Sequence, residues 1–211
     1  FRFVLSPSET IASQALLRNI RTRRGRQRAK IGDQIEVCPE ALATMQDIQA
    51  RLLMGGKRGG AALIMDYGED RPLGDTLRAI KNHRFVHPFE SPGDVDLSIM
   101  VDFQSLANIA LESPPPPSSR QQQTSRYIPK ILGGETQQLE CFGVLEQSQF
   151  LQNMGIDARI ADLLRQTKDE KVASSLITSY KRLVDSNQMG SVYKMMAISN
   201  QGVRPIGFTI Q

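Results

Sequence analysis

The sequence predicts an α/β fold built on a sheet, and three observations carry that prediction. A continuous apolar run between glycines, GGAALIMD at 59–66, ends in an acid, as strands covered on both faces do. Ahead of it, Leu42, Met45, Ile48, Leu52 and Leu53 recur at helical spacing between Pro39, a residue suited to a first helical turn, and the Gly55-Gly56 stop. Residues 34–38 alternate as a strand before that helix. Strand, helix, strand in this order reads as a βαβ crossover in an α/β sheet, whose ligand crevice lies beyond the carboxyl ends of its strands.

The other elements follow along the chain. Residues 1–5 read as a short strand broken by Ser6-Pro7-Ser8, and Ile11, Ala15, Leu16 and Ile20 as a helix capped by Ser8 or Thr10. Residues 77–86 contain another short strand. Residues 88–102 are turn-rich around Pro92-Gly93-Asp94, and 103–111 suit a helix. From 112 to 138 four consecutive prolines, serines, glutamines and a Gly pair replace apolar residues, and we expect a surface insertion there. Residues 139–144 read as a strand, followed by a helix carrying Phe150, Leu151 and Met154. Gly155 separates that helix from one carrying Ile156, Ile160, Leu163 and Leu164. Residues 171–184 form a further amphipathic helix on Val172, Leu176, Tyr180 and Leu183, and 192–199 close as a strand.

Composition bounds the function. With 211 residues, 40% of them hydrophobic, the chain is long enough for one substantial core, which excludes disorder throughout. Its longest apolar run, 61–65, is far short of the roughly 20 residues of a membrane-spanning helix, so a soluble protein is expected. Cys38 and Cys141 lie on strand-like segments without C-x-x-C spacing and read as buried thiols in a reducing compartment. The chain opens on Phe1 without an initiator Met or signal-like leader, and we expect processing or truncation to have removed what came before. The net charge of +4 hides a local cluster: Arg18, Arg21, Arg23, Arg24, Arg26, Arg28 and Lys30 have no acid among them, and the rest of the chain is net acidic. A solvated loop fits this cluster, and so does an arm docking to RNA, anionic lipid or an acidic partner.

No local constellation specifies a reaction. GGKRGG at 55–60 lacks P-loop spacing and a preceding strand, so it reads as a turn. His83 and His87 have the i, i+4 spacing of helical metal ligands, but Pro88 disfavours a helix through both, and no metal is expected. Asp94, Asp96 and Asp102 gather with Glu90 around a turn, in the manner of a general base or a calcium loop, but ordinary loop acids and a cap for the helix at Phe103 explain most of the pattern. Asp66-Tyr67-Gly68 differs because topology puts it at the strand edge. There an acid orients a cationic nitrogen, and a Tyr stacks or donates a hydrogen bond.

Six ordered blocks then resemble the MidA-like methyltransferases: FRFVLSPSET from Phe1, IEVCPE at 35–40, GGAALIMDYGED at 59–70, SPGDVDLSIMVDF at 91–103, QSQFLQNMGIDAR at 147–159 and MGSVYKMMAI at 189–198. That family includes a mitochondrial protein arginine methyltransferase assisting complex I assembly. The resemblance implies that residues 1–211 are the C-terminal part of a Rossmann-like S-adenosylmethionine-dependent fold with inserted helices, in the mitochondrial matrix. It implies methyl transfer to an arginine of a complex I subunit or assembly intermediate, with Asp66, Tyr67, Asp96 and Asp102 as the catalytic candidates. The basic loop at 21–33 and the segment at 113–138 are departures, read as insertions, and Arg21, Arg23, Arg24, Arg26 and Arg28 as partner-docking residues. No counterpart of the family's N-terminal glycine-rich loop or ribose-binding acid is found among these residues, so S-adenosylmethionine is expected to bind this chain alone weakly or not at all. A non-catalytic assembly or structural subunit of a mitochondrial particle, in contact with RNA and open to oligomerisation, is the alternative.

Overall fold

The computed structural model describes residues 2–10, 13, 32, 34–55, 59–112 and 138–208. In chain order its elements are α1 (Pro39–Met54), β1 (Ala61–Glu69), β2 (Arg78–Lys81), β3 (Arg84–Val86), β4 (Asp96–Ser98), β5 (Val101–Asp102), α2 (Phe103–Leu111), β6 (Leu139–Glu146), α3 (Gln147–Asn153), α4 (Ile156–Gln166), α5 (Glu170–Val184), α6 (Met189–Val192) and β7 (Tyr193–Asn200). They fall into two compact units, Phe1–Cys38 with Pro72–Met100 and Pro39–Arg71 with Val101–Gln211.

The larger unit holds a four-stranded sheet in the order β5-β1-β7-β6. β7 is antiparallel to both its neighbours, and β5 lies parallel to β1 through Gly68↔Val101 and Glu69↔Asp102. Because side chains alternate along a strand, β7 feeds two cores. Met196 and Ile198 enter a cluster with Met45, Leu52, Phe103, Leu106 and Ile109, beneath α1 and α2. Met195 and Ala197 pack on the opposite face with Phe150 and Phe208, whose rings lie 5.2 Å apart.

Buried amides tie helix ends to this frame. Gln49 Nε2 donates to the carbonyls of Ile109 and Ala110, each at 3.0 Å, and of Glu112 at 2.5 Å, satisfying the terminal acceptors of α2. Asn200 Nδ2 donates to the Leu52 carbonyl at 3.0 Å, while its Oδ1 accepts the Gly60 N–H at 2.7 Å, fixing the end of α1 and the entry to β1. α4 and α5 bury no residue fully, and Tyr180 Oη donates to Asp157 Oδ1 at 2.7 Å between them. That bond to a carboxylate raises the Tyr180 pKa.

The smaller unit contains an antiparallel sheet in the order β3-β2-β4. Its β2–β3 hairpin turns on Asn82 and His83, with φ of 50° and 61°, the positive pair of a type I′ turn. His83 is therefore in a turn and not one helical turn from His87.

Several expectations change. Residues 34–38 form no ladder: the Glu36 N–H donates to the Leu73 carbonyl at 2.8 Å, and its carboxylate accepts the N–H groups of Thr76 and Leu77 and the Thr76 hydroxyl. Alternation in this stretch serves a side-chain brace, and the parallel neighbour of β1 is β5 in place of the expected 34–38 strand. Residues 2–5 join no ladder, although the Phe3 ring meets that of Phe89 at a tilt of 50°, with centroids 4.7 Å apart. Cys38 therefore lies off any strand, and both thiols are half-buried where burial was expected. Of the helix expected after Ser8, only Ser13 is among the described residues, and its N–H donates to Thr10 Oγ1 at 3.0 Å, as to an N-cap. Arg21, Arg23, Arg24, Arg26 and Arg28, and all of 113–138 except Gln138, lie outside the described residues.

Candidate functional site

The carboxyl end of β1 collects the chemistry-bearing residues of the larger unit. Asp66 faces Lys194 across the β1–β7 ladder, and Lys194 faces Glu146 on β6, so acid, base and acid stand in one row. Lys194 Nζ is held by Glu146 Oε1 at 3.4 Å and the Ser191 carbonyl at 2.6 Å. Asp66 Oδ1 accepts the Tyr67 N–H at 2.8 Å, and among the described residues no cation pairs with its carboxylate. Tyr67 meets its cross-strand partner Tyr193 edge to face, ring centroids 5.7 Å apart, leaving both rings half-buried.

Glu69 and Asp102 are neighbours through the parallel β1–β5 register. Asp102 is engaged: Oδ1 accepts the Ser105 N–H at 2.9 Å and Oδ2 the Ser105 hydroxyl at 2.6 Å, capping α2. Gly68 is needed between them, since a Cβ there would meet the Val101 carbonyl oxygen and the Phe103 ring. Nearby burial, reinforced by the charge of Asp70, raises the pKa of Cys141 above that of an ordinary thiol.

Of the four sequence candidates, Asp66 and Tyr67 follow one another on β1 with their side chains on opposite faces of the sheet, and Asp102 on β5 is the register partner of Glu69. Asp96 belongs to the smaller unit, exposed on β4 opposite Ile80. Glu69, Lys194 and Glu146 were missed. Lys194, the one charge inside the apolar run YKMMAI, was the available signal; the Glu69–Asp102 proximity follows from a pairing that spacing alone does not encode.

A Rossmann-like cofactor cradle needs a glycine turn leaving a strand and an uncommitted carboxylate on the next strand. The described residues do not fit that need. Gly68 is filled by protein atoms, the Asp102 carboxylate is spent on a cap, and Gly59-Gly60 precede β1 instead of following a strand.

A partly parallel sheet flanked by helices, with acids at its carboxyl edge, places the protein in the class of α/β ligand-binding folds. Residues 1–114 match the family described as "Putative S-adenosyl-L-methionine-dependent methyltransferase", and the chain belongs to that family. It is 33% identical over 94% of its length to the zebrafish (Danio rerio) protein named protein arginine methyltransferase NDUFAF7, mitochondrial, of which it covers 38%. The human protein of that name is 30% identical over 93% of the chain, which covers 36% of it. A Burkholderia thailandensis crystal structure aligns with a TM-score of 0.56 at 21% identity, over 81% of this chain and 39% of that one. Another from the same bacterium, bound to S-adenosyl-homocysteine, aligns with a TM-score of 0.54 at 22% identity, over 81% and 38%. The chain thus spans well under half the length of these relatives, and the family is S-adenosylmethionine-dependent.

Proposed function

We propose that this chain is the C-terminal part of a protein arginine N-methyltransferase that acts on a complex I subunit or assembly intermediate in the mitochondrial matrix. The observation that carries this reading is the 33% identity to a mitochondrial protein arginine methyltransferase across 94% of the chain. The carboxyl edge of β1 suits a guanidinium substrate. An arginine side chain stays protonated up to a pKa above about 12, so it must be oriented by carboxylates and give up a proton as its nitrogen becomes a nucleophile. On one face of the strand Asp66 supplies an acid that has no cation partner among the described residues; on the other face Tyr67 supplies an aromatic ring, and Glu69 and Asp102 at the strand end add negative potential. Residues 21–33 and 113–138 are insertions in this reading.

Incubating the protein from its native source with labelled S-adenosylmethionine and complex I assembly intermediates tests the proposal. We expect methylarginine in one subunit, and an Asp66→Ala loss of about 10²–10⁴-fold in rate, the usual share of positioned acid–base catalysis. Full activity of the variant removes Asp66 from the mechanism, and absence of methylarginine contradicts the proposal.

The committed Asp102 carboxylate and the filled space at Gly68 favour a second reading. In it the chain is a non-catalytic subunit of a mitochondrial particle, docked to protein or RNA through Arg21, Arg23, Arg24, Arg26 and Arg28. Charge reversal at Arg21, Arg23 and Arg24 should then weaken co-sedimentation with the particle as salt is raised; unchanged co-sedimentation counts against those arginines.

A further inference from the structure

Lys194 is the one charged residue of β7, and it stands between two acids without being shared by them. Its register partners are Asp66 on β1 and Glu146 on β6, so the three side chains form a row on the sheet face that Ala62, Ile64, Met196 and Ile198 line further along. Lys194 takes one side of that row. Its Nζ lies 3.4 Å from Glu146 Oε1 and donates to the Ser191 carbonyl at 2.6 Å, while among the described residues no cation pairs with Asp66. Register partners in an antiparallel ladder stand only about 5.5 Å apart at Cα, so a lysine stem reaches either carboxylate and the choice needs a cause.

Two features supply the cause. Ser191 lies three residues back, in the last turn of α6, where helix carbonyls lack an intrahelical partner and a cation is a favourable one. Glu146 stands at the N-cap of α3, yet its side chain makes no capping bond, which leaves its carboxylate for Lys194. The Lys194 side chain is only 13% exposed, so its ammonium needs an acid at all times, and with Glu146 uncharged Asp66 is the acid left in the row. The consequence falls on Asp66. With both acids charged the row carries one excess negative charge, and that excess sits on Asp66; without the Glu146 charge, Lys194 and Asp66 neutralise each other.

We infer that Glu146 is a positioning residue: by holding Lys194 to itself and to the Ser191 carbonyl, it keeps the Asp66 carboxylate open to an incoming guanidinium. The inference rests on the reading of Asp66 as the acid that orients the substrate, and it adds that this acid stays available only while Glu146 is charged. Glu146 acts through Lys194 and touches no substrate, so its loss is felt as competition. A guanidinium arriving at Asp66 then has to displace an ammonium that is already there.

Crystal structures and methylation kinetics of the same variants test it. In Glu146→Gln, Lys194 Nζ should move to ion-pair distance of Asp66, within about 4 Å. KM for the protein substrate should rise about fivefold, the upper end for a partly exposed ion pair, with kcat little changed, because substrate and Lys194 now compete for one carboxylate. Adding Lys194→Met removes the competitor and should return KM to its original value, whereas a merely structural loss at the β6–β7 pair would persist in the double variant. Where Glu146→Gln fails to fold, Glu146→Asp, which draws the charge back from Lys194 by one methylene, should raise KM in smaller measure. Lys194 unmoved in the Glu146→Gln structure overturns the inference, and so does an unchanged KM or a double variant with KM still raised. If the unaltered protein forms no methylarginine, the substrate reading fails, and the position of Lys194 in the two structures then decides by itself whether Glu146 holds it off Asp66.

Discussion

β1 and β7 are adjacent, similarly apolar strands with opposite fates. β7 is paired on both sides, and its residues from Met195 to Asn200 are buried on both faces, whereas β1 is paired along one side and shows Leu63 and Met65 to solvent. Hydropathy alone does not distinguish them. The difference comes from what each strand finds beside it: among the described residues β7 lies between two long ladders, and the far side of β1 meets only the short β5.

The largest expected effect tests that asymmetry. Ile198 has no exposed surface, so Ile198→Ala should cost about 2–5 kcal/mol in denaturant unfolding, while Met65→Ala should stay within about 0.5 kcal/mol. Equal costs would break the comparison. Gly68→Ala sharpens it at the one place where the free side of β1 is occupied. A methyl group there meets the Val101 carbonyl and should destabilise by about 1–3 kcal/mol, with the effect lost if β5 does not pair. The smallest effect concerns Cys141 on β6. Its folded pKa lies above the unfolded value, so the contribution it makes is present below the ordinary thiol pKa of about 8.5 and is lost as pH rises through the folded pKa. At pH 8.5 it should therefore alkylate more slowly in the folded protein than in urea, and Asp70→Asn should speed the folded reaction. Equal rates would show a thiol open to water.

Much of this was legible in sequence because periodicity reports local burial. The spans of α1 and α2, the helices after Phe150 and the closing strand β7 all follow from apolar spacing and from stops at Gly and Pro. Asp102 was legible as a cap. What failed depended on partners distant in sequence. The alternation of 34–38 matched a strand, yet the carboxylate of Glu36 binds Thr76 and Leu77 in place of a ladder. The i, i+4 spacing of His83 and His87 carried no sign that Asn82-His83 would take the left-handed turn more commonly built from Asn-Gly. At the candidate site Asp66 and Tyr67 follow from strand direction. The row Asp66, Lys194, Glu146 needed the register of three strands.

The most direct test of the central claim, that the described residues form no cofactor cradle, is calorimetric titration of the 211-residue chain with S-adenosyl-homocysteine. No saturable heat from the chain is the result predicted. Micromolar binding by the chain alone would contradict the account.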